Sequence, residues 1–131
     1  MIPTSGICSD AAHSEKNKVT EYRVVDIETG KELSYANLGY QTTNIGEFLG
    51  LVAAIKIVVF DIKKKTTVYC DSKTAISWYK NKYTSSNKSN SDLMKASAFL
   101  LAMEDKISSM VDVVHWDSKL WGEIPADFGN K

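Results

Sequence analysis

The stretch TTVYCDSKTAI, residues 66–76, joins a β-strand directly to a helix. Residues 66–70 are mostly β-branched or aromatic, which predicts a compact strand, and residues 72–82 predict a helix that starts directly after it. Asp71 lies at the junction, at the C-terminal end of the strand. In open α/β sheets, ligands bind beyond the carboxyl ends of the strands. The stretch therefore predicts an α/β fold and marks Asp71 as a candidate site residue.

Upstream of this junction, three segments have the composition of β-strands: residues 5–11, 19–27 and 32–40. A turn at residues 28–31 carries a glycine and joins the second strand to the third. We expect the three strands to pair as an antiparallel meander.

Residues 44–60 predict a long helix, with Thr43 or Asn44 as its N-cap, because apolar residues recur there at helical spacing. The apolar stripe consists of Phe48, Leu51, Val52, Ile55 and Val59. Residues 92–108 predict a second long helix whose apolar stripe faces the core.

The chain ends with a predicted strand at residues 110–116 and a tail at 122–131 that we expect to contain a short helix. The order β-β-β-α-β-α-α-β-α predicts one α/β domain over residues 1–131. Its sheet should be mixed and five-stranded, with three antiparallel and two parallel strands, flanked by helices.

Composition limits the class of protein. The chain has 16 basic and 16 acidic residues, which argues against a passive nucleic-acid-binding protein but not against an enzyme that binds cations. No apolar run approaches the roughly 20 residues of a membrane span, and the N-terminus lacks the regions of a signal peptide, so we expect a cytoplasmic protein. Cys8 and Cys70 lie in short apolar runs without zinc-site spacing, which favours buried thiols in strands.

Four acidic residues fall at informative places in these elements. Asp10 lies near the end of the first strand, Glu47 in the first turn of the first long helix, and Asp127 in the last helical segment. Parallel pairing of the first and fourth strands would bring Asp10 and Asp71 together. Carboxylates at close range oppose each other's ionisation, and Mg²⁺ offsets this repulsion through oxygen coordination. Two such ions can activate a water and stabilise the leaving oxygen in phosphodiester hydrolysis.

Each of these acids also has a simpler interpretation when it is taken alone. Asp71 could be a helix N-cap, Glu47 a first-turn acid favoured by the helix dipole, and Asp10 a turn residue. Because the chain has 16 acidic residues, spacing alone is weak evidence for a cluster.

The sequence around the acids is more specific. The stretches TNIGEF at 43–48, YCDSKTAI at 69–76 and WGEIPADFG at 121–129 resemble motifs of the type 1 ribonuclease H family. The last stretch is most similar to a bacterial branch with a Trp-Gly-Glu-x-x-Ala-Asp ending, whose catalytic domain often follows a small hybrid-binding domain. The resemblance extends from about residue 7 to residue 131, and it implies a ribonuclease H-like fold without the hybrid-binding domain.

The resemblance implies an endoribonuclease that hydrolyses the RNA strand of RNA–DNA hybrids and leaves 5′-phosphate and 3′-hydroxyl ends. It implies two Mg²⁺ ions, with Mn²⁺ as an alternative, held by Asp10, Glu47, Asp71 and Asp127. Glu123 matches an acid that assists ion exchange or product release, although without the resemblance it reads as an exposed helical acid facing Asp127. We expect the protein to be a monomer.

The resemblance also implies a set of substrate contacts, although Trp78 taken alone could equally be a core residue. These positions are Thr42, Thr43, Asn44, Lys73, Trp78, Ser86 and Asn87. They would hold a DNA phosphate, the minor-groove edges, the DNA sugar backbone and the RNA strand.

The sequence departs from the family pattern directly after Asp10. Residues 10–18 read DAAHSEKNK, where the family often has a glycine-rich turn that approaches the 2′-hydroxyls of RNA. This departure weakens the expected contact with the RNA strand and leaves the metal site unaffected. We expect His13 to be an exposed loop residue and His115 a structural residue of the last strand. Two alternatives stay open: a non-catalytic nucleic-acid-binding module on the same fold, and a related nuclease that acts on DNA.

Overall fold

The computed structural model describes residues 2–81 and 90–129. Their strands are β1 (Ile7–Ser14), β2 (Val19–Asp26), β3 (Glu32–Asn37), β4 (Thr66–Cys70) and β5 (Val111–His115). Their helices are α1 (Thr43–Ile57), α2 (Lys73–Lys80), α3 (Ser91–Ala102), α4 (Glu104–Met110) and α5 (Ser118–Trp121), and a π-helical turn, Val58–Ile62, extends α1.

The five strands form one mixed sheet in the order β3-β2-β1-β4-β5. β1 pairs antiparallel with β2, and β2 antiparallel with β3. β4 pairs parallel with both β1 and β5. The predicted fold class, a mixed sheet with an antiparallel trio and a parallel pair flanked by helices, is confirmed.

The hairpin of β1 and β2 is longer than predicted. β1 does not end at residue 11, because cross-strand pairing continues through His13↔Thr20 to Ser14↔Val19. β3 ends earlier than predicted, at Asn37, whose side chain accepts a hydrogen bond from the Gly39 backbone N–H over 2.8 Å. Side chains of this type compete with the ladder and start turns.

The predicted apolar stripe is buried: four of its members lie in helix α1, which packs against the sheet, and Val59 lies in the π-helical turn that follows. Two glycines let the N-terminal half of α1 approach the strands closely. A Cβ atom at Gly46 would lie 2.6 Å from Cγ2 of Thr20, and one at Gly50 would lie 3.0 Å from Cβ of Tyr22. The backbone of α1 therefore lies nearer to β1 and β2 than larger residues would allow.

The predicted helix 92–108 is wrong in one respect, because the chain breaks at Met103 into α3 and α4. Met103 leaves the helical conformation with φ −108° and ψ 18°, and Glu104 and Asp105 occupy the first turn of α4. α4 contacts the π-helical turn and β5, and Ile107 is buried there. The break thus redirects the chain towards the start of β5.

The predicted helix in the tail 122–131 is also wrong. The short helix is α5, which Asp117 caps by accepting hydrogen bonds from the backbone N–H groups of Lys119 and Leu120. Gly122 ends it with φ 82°, a conformation that favours glycine. The described residues beyond it, up to Gly129, form turns and irregular structure.

This tail covers the face of the sheet opposite α1. Ile124 and Ala126 are buried there with Cys8, Val25 and Trp116. The indole N–H of Trp116 donates a hydrogen bond to the Gly122 carbonyl oxygen over 2.9 Å. Within the described parts of the chain, no helix is long and apolar enough to cross a membrane.

Candidate active site

The parallel pairing of β1 and β4 ends with Ser9 opposite Cys70, so Asp10 and Asp71 follow at the same edge of the sheet. Asp71 lies directly after β4, where the sequence predicted it, and the N-cap of α2 is the next residue, Ser72. Asp10 is not a turn residue, because it lies inside β1 opposite Arg23 of β2. Asp10 is buried and Asp71 is half-buried.

Glu47 reaches the same place from α1. The N-cap is Thr42, not Thr43 or Asn44, since its Oγ1 accepts a hydrogen bond from the Ile45 N–H over 3.2 Å. Glu47 therefore belongs to the second helical turn, so the interpretation as a first-turn acid is wrong. Its Oε1 atom is buried and, among the described residues, has no hydrogen-bond partner. Such an atom costs stability unless a further group binds it.

The carboxyl groups of Asp10, Glu47 and Asp71 are largely removed from water, and their negative charges repel one another. Burial, followed by the charge of Asp71, raises the pKa of Asp10 to about 7. Burial and the charges of Asp10 and Asp71 raise the pKa of Glu47 to about 9. Burial also raises the pKa of Asp71, and a hydrogen bond to its own backbone and the nearby His115 offset this rise only in part. Perturbed carboxylates in one cluster are typical of functional sites.

Asp127, the fourth predicted acid, lies on the tail. Its negative charge contributes, after burial, to the raised pKa values of Asp10 and Asp71. It lies in irregular structure, where its own Oδ2 accepts a hydrogen bond from the Gly129 N–H over 2.8 Å. Glu123 is exposed on the same irregular segment, so it is not a helical acid one turn before Asp127.

Arg23 fixes this tail, and the sequence analysis did not identify it. Its Nε donates a hydrogen bond to the Ala126 carbonyl oxygen over 2.7 Å, and its Nη2 donates to the carbonyl oxygen of Asp127 over 2.6 Å. The guanidinium also lies over the ring of Phe128, 5.4 Å from the centroid. The available signal was an arginine in the middle of a predicted strand, because such a residue needs partners when it is partly buried.

Four of the predicted substrate residues lie at the starts of two helices, α1 and α2. Thr42, Thr43 and Asn44 are exposed at the N-terminus of α1, where Thr42 and Thr43 line a groove. Lys73 is exposed at the start of α2 and lines a second groove with His115. The predictions for Ser86 and Asn87 lie outside the described residues.

Trp78 was predicted to be either a substrate contact or a core residue, and in the structure it packs against the core. It is half-buried, and its ring meets Phe48 edge-on with centroids 5.7 Å apart. His115 lies in β5 as predicted. His13 is not an exposed loop residue, because it is half-buried at the end of β1, where its Nδ1 is 2.8 Å from Oγ1 of Thr20.

The strand order and the acids at its carboxyl edge define a ribonuclease H-like fold. Among solved structures, the chain is similar to LC11-RNase H1 in complex with an RNA/DNA hybrid, with 18% identity, coverage of 87% of this chain and 86% of that chain, and a TM-score of 0.60. It is similar to RNase H1 from Halobacterium salinarum, with 14% identity, coverage of 87% and 86%, and a TM-score of 0.60.

A third similar structure is the N-terminal RNase H domain of a Mycobacterium tuberculosis protein, with 16% identity, coverage of 88% of this chain and 84% of that chain, and a TM-score of 0.60. No protein-family model matches the chain. At these identities the comparisons show a shared fold.

Proposed function

We propose that this protein is a metal-dependent ribonuclease H that hydrolyses the RNA strand of RNA–DNA hybrids. The observation that carries the proposal is the convergence of Asp10, Glu47 and Asp71 at the carboxyl edge of β1 and β4, in a fold shared with RNase H1 structures. The motif resemblance adds Asp127 and supports the proposal that the chain belongs to the bacterial branch with the Trp-Gly-Glu-x-x-Ala-Asp ending.

The residues present fit a divalent cation. Hard cations take carboxylate oxygens, and this centre offers several of them. The unpartnered Oε1 of Glu47 and the raised pKa values of Glu47 and Asp10 support a cation site, because the described residues offset the burial and mutual repulsion of these carboxylates only in part. Mg²⁺, with Mn²⁺ as the alternative, would be held by Asp10, Glu47, Asp71 and Asp127 as two ions. When bound, the ions supply an activated water and stabilisation of the leaving oxygen.

The protein's own groups would position the hybrid across this centre. The exposed Thr43 and Asn44 at the start of α1 offer side-chain and backbone donors for a phosphate of the DNA strand. Thr42 borders the same groove, although its hydroxyl already caps the helix. Ser86 and Asn87 would contribute to the same contact.

On the other side, Lys73 would contact the RNA strand, and Trp78 would present its exposed part to the DNA sugar backbone. Cleavage would leave a 5′-phosphate and a 3′-hydroxyl, and the exposed Glu123 would assist ion exchange or product release.

A cleavage assay tests this function. Labelled RNA–DNA hybrid, double-stranded RNA and duplex DNA are incubated with the protein in Mg²⁺, with and without chelator. We expect the protein to cleave only the RNA strand of the hybrid. Chelator should abolish this cleavage, and so should the substitution Asp71→Asn. Equal cleavage of duplex DNA would instead support a DNA-acting nuclease. Binding of hybrid without cleavage would support a non-catalytic module.

A further inference from the structure

A thiol lies inside the acidic centre. The Sγ atom of Cys70 and one carboxylate oxygen each of Glu47 and Asp71 all lie within 4.8 Å of one another. Cys70 is the last residue of β4 and is fully buried, so its sulfur is held by the sheet and by the core beneath α1. The centre therefore combines one sulfur with two oxygens, whereas the chemistry proposed above uses oxygens alone.

Two buried polar atoms on this side of the sheet lack partners. Ser9 is 1% exposed and, among the described residues, its hydroxyl has no hydrogen-bond partner; the same holds for Oε1 of Glu47. Ser9 is paired with Cys70 across β1 and β4, and paired residues project their side chains from the same face. This face is the one beneath α1, because a Cβ at Gly50 would lie 3.7 Å from Cβ of Ser9.

The two vacant bonding positions point to a ligand rather than to ordinary core packing. Buried polar groups are almost always satisfied, so two unsatisfied atoms on one face of the sheet call for an explanation. A cation would satisfy Glu47 directly. A metal-bound sulfur would accept a hydrogen bond from the hydroxyl of Ser9, as outer donors commonly do around metal ligands.

The donor set identifies the class of cation. Mg²⁺ prefers oxygen and forms no stable bonds to sulfur, whereas Zn²⁺ and Co²⁺ accept thiolate together with carboxylate. Adjacent ligand atoms in a tetrahedral zinc site are roughly 3.5 Å apart, given bond lengths of about 2.0–2.3 Å. The ligand atoms of Glu47, Cys70 and Asp71 lie within 4.8 Å of one another, so side-chain shifts of about an ångström would bring them to this spacing.

We propose that Glu47, Cys70 and Asp71 form a site for a thiophilic divalent cation such as Zn²⁺, which competes with Mg²⁺ for the same two carboxylates. A sulfur–metal bond replaces the S–H bond of Cys70, and the proton leaves to solvent. The competition with Mg²⁺ rests on the proposed function, but the Zn²⁺ site itself does not.

Cys8 provides a matched control. It is also a fully buried thiol in a central strand, but it belongs to the opposite core with Trp116. Both thiols have a weak backbone partner: the sulfur of Cys8 lies 3.7 Å from the Val25 carbonyl oxygen, and the sulfur of Cys70 lies 3.9 Å from the Ser72 carbonyl oxygen and 3.5 Å from the Ser72 backbone nitrogen. Cys8→Ala and Cys70→Ala therefore each remove one fully buried sulfur atom, and the two sulfurs lie on opposite faces of the sheet.

The experiment titrates the protein with Co²⁺ as a spectroscopic probe and then displaces it with Zn²⁺. We expect a sulfur-to-cobalt charge-transfer band in wild type and in Cys8→Ala, and no band in Cys70→Ala or Cys70→Ser. Calorimetry should show Zn²⁺ binding weakened about tenfold or more by Cys70→Ala. Thermal unfolding shows whether each variant is folded. If Cys70→Ala does not fold, Cys70→Ser replaces it in both measurements.

The outcomes separate this proposal from the proposed function. A charge-transfer band that survives in Cys70→Ala, or equal Zn²⁺ affinity in that variant and wild type, overturns the thiophilic site even if Mg²⁺-dependent cleavage is intact. A Cys70-dependent band in a protein that cleaves no hybrid supports the site and overturns the nuclease assignment. In an active protein, Zn²⁺ should inhibit cleavage, and excess Mg²⁺ should relieve the inhibition.

Discussion

Arg23 donates a hydrogen bond from Nη2 to the backbone carbonyl oxygen of Asp127 over 2.6 Å, and it lies directly opposite Asp10 in the β1–β2 pairing. One side chain thus connects β2, the strand paired with the one that carries Asp10, to the tail that carries Asp127. Because its contacts are to backbone carbonyls, Arg23 sets the path of the tail without using the carboxylate of Asp127.

The first prediction concerns this connection. Arg23→Met should lower hybrid cleavage by about 10–100-fold, as loss of an outer partner of a metal site commonly does. Stability should fall by roughly 1.5–3 kcal/mol, because charge-assisted hydrogen bonds to the tail are lost. Cleavage kinetics and denaturant unfolding measure the two effects.

Glu32→Gln is the matched control for Arg23. Glu32 forms an ion pair with Arg23, in which Oε1 lies 3.6 Å from Nη1, and the side chain of Glu32 is exposed. We expect little change in activity or stability from this variant, since exposed ion pairs contribute little. Wild-type activity in Arg23→Met would show that the tail does not depend on Arg23.

The second prediction concerns pH in the absence of metal. The folded pKa values of Asp10, about 7, and Glu47, about 9, lie above the values near ~4 of unfolded carboxyl groups. The folded state therefore binds more protons than the unfolded state across this window, so stability should fall as pH rises from about 4 to about 9. Each pKa unit corresponds to roughly 1.4 kcal/mol.

Denaturant unfolding in chelator at pH 5, 7 and 9 measures this slope. Asp10→Asn should weaken the dependence of stability on pH in the lower part of this range, up to about pH 7. Added Mg²⁺ should restore stability most strongly at the alkaline end, because binding to the folded state alone stabilises it. Stability that rises with pH in the metal-free protein would contradict the prediction.

The third prediction concerns the approach of α1 to the sheet. Gly46→Ala should destabilise the protein by about 1–3 kcal/mol, because the new Cβ would lie 2.6 Å from Cγ2 of Thr20 and 3.3 Å from Cβ of Ala11. The gain in helix propensity, about 1 kcal/mol, opposes this loss without cancelling it. Since Glu47 is the next residue, cleavage should also decrease.

Thr20→Ser supplies a rescue for Gly46→Ala. It removes Cγ2 and keeps the hydroxyl, which donates to the Gln41 carbonyl oxygen over 2.6 Å. The double variant should recover most of the stability lost in Gly46→Ala. If it recovers none, the close contact with Thr20 is not the cause of the loss.

The fourth prediction separates the two interpretations of Trp78. Trp78→Ala should cost about 3–5 kcal/mol, because the ring packs against Phe48. Trp78→Phe keeps an aromatic ring and should retain most of the stability. A rise in KM for the hybrid in folded Trp78→Phe would indicate a substrate contact, whereas unchanged kinetics would leave the core contact as its role.

The parts of the fold that local sequence determines were predictable. The strand at Thr66–Cys70, the position of Asp71 and the start of α2 follow from a few consecutive residues. The parallel pairing that brings Asp10 beside Asp71 follows from the order of strands and helices. The apolar stripe of α1 was also predicted, since helical periodicity reports directly on burial.

The parts that depend on distant contacts were not predictable in this way. The tail is irregular because Arg23 and Trp116 bind its carbonyl groups, and neither interaction leaves a local pattern near Asp127. The break at Met103 reflects contacts of α4 with the end of α1 and β5. The position of Cys70 among the acids required the three-dimensional meeting of α1 and β4.

The pairing of β1 with β4 has a consequence for the order of folding. β1 can form its hairpin with β2 early, because that contact is local, but it meets β4 only after α1 has been placed between them in the chain. Asp10 and Asp71 therefore come together only once this non-local pairing exists. A cation that needs both of them should bind after the rate-limiting step, so it should slow unfolding and leave the rate of refolding nearly unchanged.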